Sequence, residues 1–308
     1  MIEEILQVPG AARRCYELNR QIRLPQYVPY IGIGSSWFAP LVMKYCGLSI
    51  QPEVASEYFH FLAPGGTGKQ AVLISQSGRS SEVLWCANKF DTLVVLTNDT
   101  GSPLAKHPHT SQVVDMAAGE EKLSSTKTYI NTLVALYLGL GIDPLPAITI
   151  LDQVMTEYEQ LGRHWAQLTY ELYRSGGWKG AFILGNGPNL GSAMQAALVL
   201  TESSGIPFQA MSLAEFDHGP KESAPGSLIF IISTGNAYEQ RQSGLVKMLE
   251  EAGAKVLILH AGSCPEMLSP IHSVIPFFYT CHYLAEKLGR RQPFVLGGKI
   301  TETNPLHP

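Results

Sequence analysis

Three features of this 308-residue chain predict two doubly wound parallel-sheet α/β domains in tandem. Strand-like apolar runs alternate with segments of helical period, the pattern of parallel βαβ units with right-handed crossovers. The series occurs twice in the same order and at similar spacing. In each copy the first strand runs into glycines, as YVPYIGIG (27–34) and GAFILGNG (180–187).

In the first series, SSWFAPLVMKYCG reads as a helix with apolar periodicity and IQPEVASEYFH as an extended segment. AVLISQSG (71–78) reads as a strand, RSSEVLWCANKF as a helix and TLVVLTN (92–98) as a strand. In the second, PNLGSAMQAALVLTESSG reads as a helix and IPFQAMSLAEFDH as extended. SLIFIISTG (227–235) follows as a strand, NAYEQRQSGLVKMLEEAG as a helix and AKVLILHAG as a strand. The helical period of 148–177 suggests a connector. The expected division is a first domain over 1–150, a helical linker over 151–178 and a second domain over 179–308.

Composition narrows the function. Charged residues are 16% and hydrophobic ones 45%, which calls for a sizeable core. A net charge of −4 without a Lys/Arg run gives no footprint for nucleic acid. The start, MIEEILQVPG, is acidic and short on apolar length, unlike a secretory signal. LVALYLGLGI (133–142) is too short to span a bilayer. Cys15, Cys46, Cys86, Cys264 and Cys281 are scattered with no CxxC pair, so reduced thiols in a cytoplasmic protein are expected rather than a zinc site.

The chemistry is concentrated in ISQSGRSSEV (74–83), where a strand meets Ser75, Ser77 and Ser80 around Gln76 and Gly78. Serines cap helices, but three hydroxyls at one turn exceed that need and suit an anion held at the carboxyl edge of a parallel sheet. Aligned on its glycine, the second turn, SLIFIISTGNAYE, places Ile232 at Ser75 and Ala237 at Ser80, as if one copy kept an anion cradle and the other lost it. GIGSSW (32–37) is a poor dinucleotide fingerprint, because Trp37 stands where the third glycine belongs.

With SQSGRSSEVL (75–84), the motifs GIGSS (32–36), VASEYFH (54–60), AGEEKLSSTKTYINTLVALYLG (118–139), LTESSGIPFQAMSLAEFDHGP (200–220) and PFVLGGKITET (293–303) complete a pattern. The chain resembles the SIS (sugar isomerase) family, and within it the isomerase half of glutamine–fructose-6-phosphate aminotransferases, over nearly its whole length. The resemblance implies tandem flavodoxin-like domains. It implies a phosphate cradle of Ser75, Gln76, Ser77, Gly78 and Ser80, with Ser35, Ser36, Ser125 and Thr126 near the sugar.

The family's proton-transferring glutamate falls on Glu202 and its ring-opening histidine on His218, sixteen residues apart (218 − 202). Its terminal lysine falls on Lys299. No metal or redox cofactor is implied. The expected partners are a phosphorylated sugar or aminosugar and a second copy of the chain, in a homodimer that shares active sites; neither nucleic acid nor a membrane is expected.

Against the family pattern, Gln195 and Val199 replace a glutamate and a lysine, and Arg79 replaces an acidic residue of the cradle. The glutaminase half and its nucleophilic cysteine have no counterpart here. Aldose–ketose isomerisation, aminosugar deamination and fructosamine 6-phosphate deglycation all stay open, as does a non-catalytic phosphosugar sensor. Elsewhere, His60, His164, His260, His272, His282 and Glu57 are expected to be structural.

Overall fold

The computed structural model describes residues 1–63, 68–235, 239–261 and 264–290, together with Leu296. They form two compact units: one contains Gln7–Ile148, and the other joins Met1–Leu6 to the described residues from Thr149 to Arg290.

The first unit contains β1 (Pro29–Gly32), β2 (Gln51–Val54), β3 (Gly68–Ile74), β4 (Phe90–Thr97) and β5 (Thr110–Asp115). They pair in the order β2-β1-β3-β4-β5, every pair parallel. The second unit contains β6 (Gly180–Leu184), β7 (Phe208–Met211), β8 (Ser227–Ser233) and β9 (Lys255–His260), again all parallel, in the order β7-β6-β8-β9. The fold class read from the sequence is the one observed. In both sheets the first strand lies between the second and third, so the connections diverge there and open a crevice at the carboxyl edge.

Central strands read clearly because both their faces are covered. Ala71, Val72, Leu73 and Ile74 of β3 are fully buried, and so are Leu228, Ile229 and Phe230 of β8. Around the first sheet Leu73, Val83, Cys86, Phe90 and Val95 pack into one cluster; around the second, Phe182, Phe216, Ile229 and Leu245 form another. The helix Lys127–Gly139, from the apolar run near 133–142, is buried on nearly every side. No helix among the described residues is long and apolar enough to cross a membrane.

The glycines ending β1 and β6 are sterically equivalent. A Cβ on Gly32 would lie 2.3 Å from the Ser36 carbonyl oxygen, and one on Gly185 would lie 2.2 Å from that of Asn189. Each strand thus turns into its helix with backbone against backbone, which is physical support for the internal repeat.

Two segments expected to be extended are extended only in part. VASEYFH leaves β2 at Val54 and continues as a short helix (Ala55–Glu57) and a π-helical turn (Tyr58–Leu62). SLAEFDH leaves β7 at Met211 and becomes the helix Leu213–His218. There Ser212 Oγ accepts from the Glu215 N–H at 3.1 Å, while the Glu215 carboxylate accepts from the Ser212 N–H at 3.2 Å. This reciprocal cap lies in the sequence as Ser-x-x-Glu.

The helix Leu151–Arg174 buries Met155, Tyr158, Trp165 and Thr169 within the second unit, against the helix Ile275–Lys287. Trp165 meets Phe230 edge-on and Phe277 at a tilt, with ring centroids 5.1 and 5.0 Å away. Packed on Ile275–Lys287 as well is the short helix Ile2–Leu6, whose Ile5 is fully buried.

Candidate functional site

The serine turn follows β3. Ser75 is buried, and its N–H donates to the Leu96 carbonyl, so the sheet fixes the start of the turn. Gly78 takes φ +60°, and a Cβ there would fall 2.0 Å from Ser102 Oγ, so no side chain fits. Ser75 Oγ and Ser80 Oγ lie 3.1 Å apart and share a hydrogen bond. Ser77 Oγ accepts from the Arg79 N–H at 3.2 Å, and the Arg79 guanidinium pairs with Asp99 at 2.9 Å. The Gln76 carbonyl accepts from the Asn98 N–H at 2.9 Å and from Thr97 Oγ1 at 3.2 Å.

Ser80 occupies the N-cap position of the helix Ser81–Ala87, yet its hydroxyl accepts nothing from that helix. Plain capping therefore does not account for the serines. Their hydroxyls face each other across one turn, where an anion can accept from both.

Ser35 and Ser36 open the helix Ser35–Tyr45, just past the carboxyl end of β1, the neighbour of β3. Neither caps it: the N-cap is Gly34, at φ 56°, with no side-chain bond. Ser125 Oγ and Thr128 Oγ1 share a hydrogen bond at 2.7 Å. Thr126 is fully buried, and its Oγ1 donates to Glu121 at 2.8 Å, so this hydroxyl orders the loop. Thus the candidates of the first unit (Ser35, Ser36, Ser75, Gln76, Ser77, Gly78, Ser80, Ser125 and Thr126) all follow carboxyl ends of its strands.

Glu121 escaped the sequence reading. Its carboxylate also accepts from the Thr126 N–H at 3.0 Å, the Thr128 N–H at 3.3 Å and Thr128 Oγ1. Burial pushes its carboxyl above the usual range, while the bonds from Thr128 and Thr126 pull the other way. Its partners lie five and seven residues downstream, and no short motif announces such a clasp.

The second unit carries Glu202 and His218 but does not bring them together. Glu202 lies in the last turn of the helix Asn189–Ser204, which ends at left-handed Gly205. Just before it, Thr201 Oγ1 accepts from the Phe208 N–H at 3.0 Å, which ties that turn to the amino end of β7. His218 is exposed at the end of the helix Leu213–His218, beyond the carboxyl end of β7. The four residues of β7 span about 13 Å and separate the two edges. Beside His218, Asp217 pairs with Lys221 at 2.9 Å and Arg241 at 2.6 Å, and these bonds hold its carboxyl below the usual range.

At the two departures from the family pattern, Gln195 and Val199 are both fully buried, and the Val199 carbonyl accepts from Cys281 Sγ at 3.2 Å. Burial pushes the Cys281 thiol up to about 12, so it is no nucleophile at neutral pH. Lys299 lies outside the described residues.

The second unit's turn corrects the glycine-based alignment. Leu73 pairs with Ile31 and Ile231 with Leu184, so Ile232 occupies the place of Ile74, and Ser233 that of Ser75. The strand-end serine is retained, and the turn reaches its left-handed glycine, Gly235, one residue sooner than the first turn reaches Gly78. Ala237 lies outside the described residues.

This two-sheet architecture matches solved structures of phosphosugar enzymes. The structure of glucosamine-6-phosphate deaminase from Thermotoga maritima matches with a TM-score of 0.76 at 20% identity, over 95% of each chain. The C-terminal domain of glucosamine-fructose-6-phosphate aminotransferase from Francisella tularensis matches at 0.73 and 18%, over 94% of this chain and 96% of that one.

Among curated proteins, the relatives are glutamine–fructose-6-phosphate aminotransferases, and it is their isomerase half that the chain resembles. The Arabidopsis thaliana protein is 24% identical over 92% of this chain and 47% of its own length. This chain therefore spans about half the length of the curated relatives it matches. No family model matches it.

Proposed function

We propose that the chain acts on a ketose or aminosugar 6-phosphate and moves a proton between C1 and C2. The observation that carries this reading is the Ser75–Ser80 hydroxyl pair at 3.1 Å, which leaves the adjoining helix uncapped by either side chain. A buried and a half-buried hydroxyl at a strand end suit a phosphate, and the relatives named above are named for hexose 6-phosphates. Phosphate anchoring fixes the distant end of the sugar and so orients C1 and C2.

In this scheme the Glu202 carboxylate takes the proton from one carbon, leaving an enediol-type intermediate, and returns it to the neighbouring carbon. His218 moves a proton between the ring oxygen and the anomeric hydroxyl to open the ring, an acid–base role for which a side-chain imidazole is suited. Lys299 is assigned, on the family resemblance, to the substrate carbonyl as an oxyanion partner or Schiff-base amine. The strand separating Glu202 from His218 supports a site completed by the His218 of a second copy, in a homodimer. A cytoplasmic setting fits the buried thiols of Cys15, Cys86 and Cys281, none of them in a disulfide.

Valine at position 199 removes the ammonium that the synthase pattern places there, which favours deamination, deglycation or a simple aldose–ketose isomerisation over the synthase reaction. The test incubates the protein with fructose, glucose and glucosamine 6-phosphates and a fructosamine 6-phosphate adduct in deuterated water. Incorporation of deuterium at C1 or C2, with or without ammonia or amine release, supports the proposal and selects the reaction. Binding of the same compounds without exchange or release would overturn the enzyme reading and leave a sensor.

A further inference from the structure

The loop Met116–Thr126, between β5 and the helix Lys127–Gly139, is held in an unusual conformation. Ala117 adopts φ +52°, rare for a residue with a Cβ, and Gly119 adopts +72°. Such a path persists only where the surroundings over-determine it. Asp115 Oδ1 accepts from the Ala117 N–H at 2.7 Å. Asn98 then grips the next two residues: its Oδ1 accepts from the Ala118 N–H at 2.9 Å and its Nδ2 donates to the Gly119 carbonyl at 2.7 Å. At the far end Glu121 clasps Thr126 and Thr128 through both backbone N–H groups and both hydroxyls.

Asn98 faces two ways. Its side chain holds this loop, and its backbone N–H donates to Gln76 of the serine turn. One run of hydrogen bonds therefore leads from the serine turn through Asn98 to Ala118 and Gly119, and along that loop to Glu121, Thr126 and Ser125. We infer that Asn98 and Glu121 are positioning residues that set the Ser125 loop at a fixed distance from the serine turn. The sugar portion of a phosphosugar is then gripped in register with its phosphate. This inference rests on the proposed function, and neither residue need touch the ligand.

The geometry separates this role from general support of the fold. Asn98 is half-buried and lies on the carboxyl edge of the sheet, outside the apolar clusters. Losing its two side-chain bonds frees the loop and leaves the backbone bond to Gln76 intact. Inorganic phosphate, which needs only the serine turn, should be indifferent to that loss. A sugar phosphate, which needs both loops, should not.

The experiment is calorimetric titration of fructose 6-phosphate, and separately of inorganic phosphate, into the whole chain and three variants. Asn98→Ala and Glu121→Ala should each weaken fructose 6-phosphate about tenfold, the scale of one lost orienting contact, and leave the affinity for phosphate unchanged. Glu121→Gln should recover most of the loss, because its amide oxygen can still accept from Thr126 and its NH2 can donate to the Thr128 hydroxyl.

Equal weakening toward both ligands, or no weakening toward either, would overturn the positioning role. Amide exchange at Thr126 and Thr128 reports the clasp without any ligand: it should accelerate in Glu121→Ala, and unchanged exchange would overturn the clasp. Failure of the parent chain to bind fructose or glucosamine 6-phosphate is a separate result, visible before any variant is made; it would remove the proposed function and, with it, the ligand-orienting role.

Discussion

The two strand-to-helix turns at the centre of each sheet start alike and end in opposite chemistry. Both leave a fully covered strand through a buried serine, Ser75 in one and Ser233 in the other. In the first turn Ser75 faces another hydroxyl, that of Ser80, and a guanidinium stands next to it at Arg79. In the second, Ser233 Oγ accepts from Gln242 Nε2 at 3.0 Å, and Thr234 Oγ1 donates to the Glu266 carboxylate at 2.9 Å. The second turn's hydroxyls are thus engaged by Gln242 and Glu266. Under the proposed function the repeat divides the labour, with the first turn taking the phosphate.

That division can be broken most severely on the proton-transfer side. Glu202→Gln should lower turnover by about a thousandfold while phosphosugar affinity persists, because the amide keeps its size but takes no proton. Deuterium exchange at the parent rate in this variant would clear Glu202 of the role. His218→Ala should be comparably inactive alone. Mixed with inactive Ser77→Ala/Ser80→Ala protein, it should regain activity once subunits exchange. Proven mixed dimers without activity would mean that each chain completes its own site.

A glycine pair gives the next largest contrast. Gly78 and Gly235 both have positive φ, at 60° and 67°, but Gly78 is enclosed, whereas among the described residues nothing lies within 4 Å of a Cβ placed on Gly235. Gly235→Ala should therefore cost only the left-handed strain, about 1 kcal/mol. Gly78→Ala must also displace Ser102 and should cost about 2–3 kcal/mol in denaturant unfolding, with loss of phosphate binding. Equal costs would mean that the steric difference is relieved by local shifts.

The mildest test compares hydroxyls. Ser77→Ala should raise KM about tenfold for the phosphorylated substrate with little change in kcat, since the phosphate is remote from the reacting carbons. Thr234→Ala, at the closed turn, should change neither. A KM effect from Thr234 would show that the second turn takes part in binding after all.

The sequence disclosed strands better than loops, for a physical reason. Ala71–Ile74 and Leu228–Ile231 are buried on both faces and read as unbroken apolar runs. β5, with the pattern TSQVVD, exposes Ser111, Gln112 and Val113 at the edge of its sheet to differing degrees and carries no such run. The helix Leu213–His218 was legible in its Ser-x-x-Glu cap but was read as extended, because the short β7 precedes it directly. The serine turn was legible because its residues are contiguous. Asn98 and Glu121 were not, because hydrogen bonds across 20 residues and to several backbone groups leave no local pattern. The equivalence of Ser233 with Ser75 needed strand register, since the two turns differ in length.

The helix Ile2–Leu6 packs with Ile275–Lys287, so the second unit is discontinuous and Gln7–Ile148 is inserted within it. That has a consequence for biosynthesis. The five described strands of the first unit are all made once Ile148 clears the ribosome, while Ile5 still lacks the surface that buries it. At ordinary elongation rates the intervening chain takes roughly a quarter of a minute to a minute to make. For that interval the helix Ile2–Leu6 is an unsatisfied apolar segment, open to chaperones, until the helix Ile275–Lys287 is made.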